Sequence, residues 1–434
     1  MPARTASSDI AVIHYDNHRI IRQFSPYISS CIQFAHNRYY VKFGIYRKNN
    51  TAPANQQQSI LRQKIMNFTF RKKDTIFARI SHIYMDMKSK STGMQSQPDI
   101  SVIVITYNQE NTIARCLDSI LGQRFDGLME IVIGEDCSND TTAEICRKYA
   151  AMHPDIIRLC CNDANKGLLD NYFDTMLRCR GTYLADCAGD DCWCDPLKLQ
   201  KQYDLMQKHR DVGMVHTAWQ YYDTKTGRIR PYEHNADKVS IYAIGKLLQP
   251  LLVKSLRPMI HLSTALWRRD TMMKEYDADQ LLFRNKAYTC EDFQIIAVLA
   301  ASTQIAYLPD ITLSYSVGHP SVSSEESFGK TFDFYSGPVK LTRRLQKKYD
   351  VTDSFMRGYY RQMLDFLAAQ IAHGQLYGRT ESLRMISREL PCRPSWKYQA
   401  IMAIMRLKPI APIYNAAIQR ISKRKVVNSS SDDE

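Results

Sequence analysis

The chain has 434 residues, and none of its apolar runs approaches the ~18 residues needed to span a bilayer. The first residues hold no continuous apolar stretch of the kind a secretory leader uses. A signal peptide is therefore not expected, and any chemistry is expected in the cytoplasm. Disulfide spacing is missing too. Twelve cysteines are present, but no two form a C-x-x-C pair. Cys116 and Cys146 fall inside helical patterns and Cys160-Cys161 closes a strand-like run, the scatter of reduced cytosolic thiols. A zinc site from Cys187, Cys192 and Cys194 is conceivable, though it lacks the paired spacing such sites use. No activated serine or cysteine nucleophile stands out. No recognised nucleic-acid-binding motif stands out either.

What is present is a core-forming composition and an uneven charge. Hydrophobic residues make up 44% of the chain, which suits a globular protein rather than a disordered one. The formal net charge is +14. Residues 1–98 carry 15 Lys+Arg against 4 Asp+Glu, and residues 327–434 carry 19 against 9. Residues 99–326 carry 24 against 31, so an acidic middle lies between basic flanks. Basic surface residues can simply keep a protein soluble. They can also meet an anionic partner, a membrane surface or a nucleic acid, and the acidic middle argues against the nucleic acid.

Three regions follow from the patterns. Residues 1–98 are polar, aromatic-dotted and irregular, in part disordered by expectation. NNTAPANQQQ, Asn49 to Gln58, reads as a linker, and Ile60 to Met87 has a poor helical pattern. At Asp99 the character changes. Ile100 to Thr106 (ISVIVIT) is an apolar, β-branched run, the mark of a strand buried on both faces. Ile113, Cys116, Leu117, Ile120 and Leu121 then fall on one helical face. Strand Met129–Gly134, a helix from about Thr141 to Met152, strand Ile156–Cys161, a helix from about Leu168 to Arg178 and strand Thr182–Cys187 continue the alternation. Such alternation predicts an α/β fold, with right-handed crossovers and a parallel sheet covered on both sides. From about residue 327 the chain reads as helical and basic. Tyr360, Met363, Leu364 and Leu367 share one face; Tyr398, Ile401, Met402 and Met405 share another. Pro409 and Pro412 break the last segment, and Ser429–Glu434 is an acidic tail.

In open parallel sheets, ligands bind beyond the carboxyl ends of the strands. The polar clusters of this chain lie there. The first strand ends in Thr106-Tyr107-Asn108 and the second in Glu135-Asp136-Cys137-Ser138-Asn139-Asp140. Asn165-Lys166-Gly167 follows the third, and Gly189-Asp190-Asp191 follows the fourth. An aromatic ring, amides, a lysine and several carboxylates on one rim suit a nucleotide with a metal ion at its phosphates. Neighbouring carboxylates repel, so Asp190 and Asp191 call for a metal, a basic cluster or water around them. The stretch Asp195-Pro196 reads as a helix cap followed by proline at the first helical position, opening a helix from Leu197 to Lys208, and Trp193 reads as packing beneath the loop.

Residues 99–323 resemble a family 2 glycosyltransferase of the GT-A fold, especially the bacterial enzymes of capsule, exopolysaccharide and O-antigen synthesis. The resemblance rests on SVIVITYNQENTIARCLDSIL, EIVIGEDCSNDTT, NKGLLDNYFDTMLRCRGTYLADCAGDDCWCDPLKLQKQ, CEDF and YSVGHPSVS, five motifs in order over about half the chain. It implies a GT-A nucleotide-diphospho-sugar transferase fold over 99–326, a Rossmann-like, mostly parallel sheet with helices on both faces, followed by the helical region 327–434. It implies nucleotide contacts from Thr106, Tyr107, Asn108, Asp136, Lys166, Asn171 and Asp190, with Asp136 on the nucleobase and Asp140 a helix cap. The family's D-x-D motif falls on Ala188-Gly189-Asp190, so the first carboxylate is absent and Asp191 follows the second. The implied metal residues are Asp190, Asp191 and His319, for a divalent cation, manganese or magnesium. The E-D motif falls on Glu291-Asp292, which implies Asp292 as general base with Glu291 as the alternative.

The resemblance implies an inverting, metal-dependent sugar transfer from a nucleotide-sugar donor, with uracil the expected base. The acceptor is a saccharide or a lipid-linked saccharide. Specificity is expected within residues 213–290, which include His216, Trp219 and His261. The basic flanks imply peripheral contact with the inner face of the cytoplasmic membrane, and no nucleic acid partner is expected. The amphipathic C-terminal stripes could equally pack on the catalytic domain. The competing reading is a nucleotide-binding protein without transferase activity, suggested by Ala188.

Overall fold

A computed structural model describes residues 97–318 and 327–406, together with the backbone of two strands near the start of the chain. Those strands, β1 (Ile28–Ala35) and β2 (Arg38–Ile45), pair antiparallel with each other. The sequence reads as irregular there, yet RYYVKFGI is rich in the β-branched and aromatic residues that strands favour. The linker over 49–58 and the helix over 60–87 lie outside the described residues.

Strand β3 (Ile100–Thr106) sets the pattern of the main sheet. Ile100, Val102 and Val104 are fully buried in one core layer, and Ile103 is fully buried in the other. Side chains alternate across a strand, so an apolar run without gaps fills both layers. Helix α1 (Ile113–Leu121) buries Ile113, Cys116, Leu117 and Ile120 along one stripe. Strand β4 (Met129–Glu135), α2 (Thr142–Met152), β5 (Ile157–Cys161), α3 (Leu168–Arg178) and β6 (Tyr183–Asp186) complete the alternating run. These four strands lie side by side in the order β6-β3-β4-β5, every pair parallel.

Beyond β6 the topology turns mixed. The short β7 (Cys192–Trp193) and α4 (Lys198–Lys208) lead to the long β8 (Val212–Asp223). Strands β9 (Ile229–Pro231) and β10 (Ser240–Tyr242) and helix α5 (Leu248–Leu252) precede a 3-10 turn at Leu262–Thr264. Then come β11 (Leu266–Arg268), α6 (Arg269–Ala278), α7 (Gln280–Arg284), α8 (Asp292–Ser302) and β12 (Gln304–Val317). The sheet has ten strands, running β10-β12-β8-β11-β6-β3-β4-β5 with β7 on β12 and β9 on β8. Strand β11 is antiparallel to both β6 and β8, whereas β8 and β12 are parallel. The result is the mostly parallel, Rossmann-like sheet of the GT-A fold, with helices on both faces. The antiparallel strand β11 aims the ends of β6 and β8 toward the same edge.

Among the described residues four α-helices follow: α9 (Phe328–Lys348), α10 (Asp353–His373), α11 (Thr380–Glu389) and α12 (Trp396–Ile404). Their apolar stripes do not face outward. Tyr360, Leu364, Leu367, Tyr398, Ile401, Met402 and Met405 are buried in the same core as Ile103 of β3 and Phe293 of α8, and Met363 packs against it. Of the two readings of these stripes, packing on the sheet is the one realised, and the stripes are not free to enter lipid. The core crosses residue 327 without a break. Among the described residues, no helix is long and apolar enough to cross a membrane.

Candidate active site

The carboxyl ends of β3, β4, β6 and β12 meet along one edge, and the loops there hold most of the sequence-derived site residues. Two of these loops use left-handed backbone. Asn108 has φ +51° and Cys137 has φ +59°. Asparagine visits that region readily, whereas for cysteine it costs about 1–2 kcal/mol, strain of the kind stored at functional sites. The two loops lock together: Ser138 Oγ accepts from the Asn108 N–H, and Asn108 Oδ1 accepts from the Asn139 N–H. Tyr107 stays 41% exposed, a ring available for stacking, with its hydroxyl 3.3 Å from Asn139 Nδ2. Thr106 is buried and donates to Gln109 Oε1. Asp140 accepts from the Thr142 N–H and from the Glu110 N–H, whereas the residue at the N-cap of α2 is Thr141 rather than the expected Asp140.

Asp136 is only 3% exposed. Its carboxylate accepts from Asn162 Nδ2, from the Lys166 N–H and from the Gly167 N–H, each at 2.9 Å. It therefore organises the loop before α3. Gly167 takes φ +84°, a turn that side chains resist. Two residues expected at the nucleotide are engaged elsewhere. The Lys166 ammonium pairs with Asp174 at 2.8 Å. Asn171 is 4% exposed; its amide donates to Gly134 O and accepts from Asn162. It braces the rim from within, because its place on α3 faces β4.

The Asp190-Asp191 pair divides in two. Asp190 is half-buried, and its main-chain oxygen accepts from Arg115 at 3.0 Å and from Ser316 Oγ at 2.5 Å. Asp191 is 1% exposed; its carboxylate accepts from Ser263 Oγ at 3.0 Å and from the Ser316 N–H at 3.1 Å. A Cβ at Gly189 would meet Gln109 Oε1 and, at 3.1 Å, Ile105 O, so this loop lies close against β3. Trp193 is buried beneath the loop and donates its indole N–H to Ser263 O. The ammonium of the fully buried Lys198 lies 4.1 Å from the Trp193 ring centroid. The Asp195 carboxylate accepts from the Leu197 N–H just ahead of α4, as its sequence position suggested.

Carboxylates converge here. Burial, and then the charge of Asp190, push Asp191 well above the usual carboxylate range. Burial and then Asp292 push Glu291 up to about 8, with Asp186 and Asp190 adding to it. Burial pushes Asp186 up to about 7 against the hydrogen bond donated by Tyr172 at 2.7 Å. Asp292 opens α8, where the helix dipole favours an anion. Acids that raise one another in this way suit a divalent cation with oxygen ligands, which removes the repulsion. The expected third ligand, His319, lies outside the described residues. Among the described residues, no group of three His, Cys, Asp or Glu is arranged for a metal. The zinc alternative fails on geometry: Cys187 Sγ lies 3.6 Å from Cys116 Sγ under the strand, whereas Cys194 donates outward to Ile311 O.

Several residues of the edge were not singled out from sequence. Arg115 ties α1 to the Asp190 loop and to β12, with its guanidinium 4.5 Å from the Tyr222 ring centroid. Ser263, Ser316 and Asp186 complete the acidic edge. Their partners are 70 or more residues away for Ser263 and Ser316, beyond any local pattern. Of the three specificity candidates, His216 and Trp219 are 1% exposed, with burial pushing His216 down to about 3. His261 alone is half-buried at the edge.

The GT-A sheet brings this acidic edge together beyond its strand ends. Residues 101–274 match the family described as Glycosyl transferase family 2. An uncharacterised protein of Mycobacterium tuberculosis is 41% identical over 113 residues, 26% of this chain and 33% of its own length. EpsE of Bacillus subtilis, named as a glycosyltransferase, is 36% identical over 130 residues, 30% of this chain and 46% of its own length. The chain thus spans less than half the length of either relative. Among solved structures, S. aureus TarS 1–349 in complex with UDP-GlcNAc aligns over 71% of this chain and 92% of its own, with 16% identity and a TM-score of 0.49.

Proposed function

We propose that the chain transfers a sugar, with inversion, from a nucleoside-diphosphate donor, a UDP-sugar, to a saccharide or lipid-linked saccharide in the assembly of a cell-surface polysaccharide. The observation that carries this reading is the meeting of exposed Tyr107, Asp136, the Asp190-Asp191 pair and Glu291-Asp292 around one strand edge of a family 2 domain. Tyr107 would stack on the base, and Asp136 would accept from a base N–H with capacity its three donors leave over. Asp190, backed by the buried Asp191, would hold a divalent cation, manganese or magnesium, which offsets the charge a departing diphosphate gains.

The proton step falls to the acidic pair. Glu291, raised to about 8, keeps its proton near neutral pH. Asp292 would take the proton of the acceptor hydroxyl as that oxygen attacks the anomeric carbon. Inversion in a single displacement needs one base and no protein nucleophile. Lys166 and Asn171 would act through the loop and the strand they hold, and His319 through the segment after β12. The basic flanks, rather than the buried helical stripes, would bring the chain to an anionic membrane surface at about 1 kcal/mol per Lys or Arg.

The test is UDP release from a panel of UDP-sugars, with manganese and with saccharide acceptors, by the wild-type chain and by Asp292→Asn. The expected result is turnover that falls by about 10²-fold or more in the variant while UDP binding persists. UDP binding without turnover on any pair would favour a nucleotide-binding protein without transferase activity. The absence of both UDP binding and turnover would overturn the proposal.

A further inference from the structure

His261 and His216 each bury an Nδ1 that has no hydrogen-bond partner among the described residues. Their settings differ. His216 lies buried inside the sheet, 5.0 Å from the Tyr307 ring centroid. His261 stands at the acidic edge. Its ring is held 4.6 Å from Tyr315 and 5.8 Å from Trp219, centroid to centroid. Trp219 is itself fixed by a stacked Tyr232 at 4.4 Å.

The turn that carries His261 is tied down at several points. Ser263 Oγ donates to Asp191 and accepts from the Ala188 N–H at 3.4 Å. Ser263 O accepts from Trp193, and Thr264 O accepts from Gln202 Nε2 at 2.8 Å. The His261 main-chain oxygen accepts from Thr264 Oγ1 at 2.6 Å. The side chain of His261 makes no hydrogen bond among the described residues, although both Asp190 and Asp292 lie within electrostatic reach. A half-buried imidazole on so fixed a turn gains nothing from its nitrogens unless a ligand meets them. Nδ1 is shut in, so Nε2 is the atom left to a ligand.

We propose that His261 is a specificity-determining residue whose imidazole hydrogen-bonds a saccharide hydroxyl between the Asp190 and Asp292 sides of the site. The inference rests on the glycosyltransferase reading. A neutral imidazole offers one donor and one acceptor, and a hydroxyl answers either. The hydroxyl belongs to the donor sugar or to the acceptor, and the two sources are separable.

His261→Phe keeps a ring against Tyr315 and Trp219 and removes both nitrogens. His261→Gln restores a donor and an acceptor without the ring. Each would be titrated with UDP and with UDP-glucose, UDP-galactose and UDP-N-acetylglucosamine in the presence of manganese, and assayed for transfer. UDP affinity is expected to stay within about twofold of wild type in both variants. For a donor hydroxyl, His261→Phe loses about tenfold or more in affinity for the UDP-sugar that wild type prefers, and His261→Gln recovers part of it. For an acceptor hydroxyl, donor affinity holds and the acceptor KM rises by a similar factor, again partly recovered by glutamine. Equal loss of UDP and UDP-sugar affinity, or kinetics of His261→Phe identical to wild type, would overturn the inference. Wild-type protein that binds no nucleotide sugar would instead sink the function on which it rests.

Discussion

Removing the Asp136 carboxylate by Asp136→Ala tests the loop that precedes α3. The side chain is 3% exposed and holds Asn162 Nδ2 and the Lys166 and Gly167 N–H groups at 2.9 Å. Alanine strands all three donors. A hydrogen bond to a charged acceptor contributes about 1.5–3 kcal/mol, and the simple sum is an upper bound because the exposed residues 163–166 can turn to water. The expected loss is about 3 kcal/mol in denaturant unfolding, with faster hydrogen exchange confined to the Lys166 and Gly167 amides and their neighbours. Asp136→Asn, which keeps one accepting oxygen, should lose about half as much. UDP affinity should fall in both variants, more steeply in alanine. Unchanged exchange at Lys166 and Gly167 in Asp136→Ala would refute the organising role, whatever happened to UDP.

Three further outcomes follow from the same geometry. Glu291 stays protonated in the folded state up to about 8, against its usual 4.5 when unfolded, so its ionisation costs stability progressively as pH rises between those values. Glu291→Gln should therefore gain stability over wild type from pH 5 to pH 8 in metal-free buffer, and a pH-independent melting difference would contradict this. Leu364→Ala, in the core shared with α8, should cost about 3 kcal/mol in a single unfolding transition; two separate transitions, with the sheet unit untouched, would argue against the common core. Arg115→Met removes the guanidinium bonds to Asp190 O and Ser316 Oγ, and UDP–manganese affinity should fall about tenfold with little change in the sheet's circular dichroism.

The alternating half of the fold was legible because its signals are local. ISVIVIT, MEIVIG and the stripe from Ile113 carry their own period, and the elements fall within a residue or two of the expected bounds. The second half was not, since β11 running antiparallel between β6 and β8 depends on pairing between distant segments. The site divides in the same way. Asp136, Asp190, Asp191, Glu291 and Asp292 belong to short motifs. Arg115 and Ser316 matter through a loop that only the folded sheet brings to them, and the turn of Asn171 toward Gly134 is not written in a motif, which gives no sense of which way a helix turns. The C-terminal stripes show one apolar face whether they meet lipid or protein, and only the shared core decides between the two.

The central claim is that the edge binds a nucleoside diphosphate through the Asp190-Asp191 pair. Calorimetric titration of UDP, with and without manganese, into the full chain, Asp190→Asn and Asp191→Asn tests it most directly. The account predicts manganese-dependent UDP binding by wild type that both asparagine variants lose or weaken severely, with Asp190→Asn still folded. Manganese-dependent binding that survives in Asp190→Asn at wild-type affinity would contradict it.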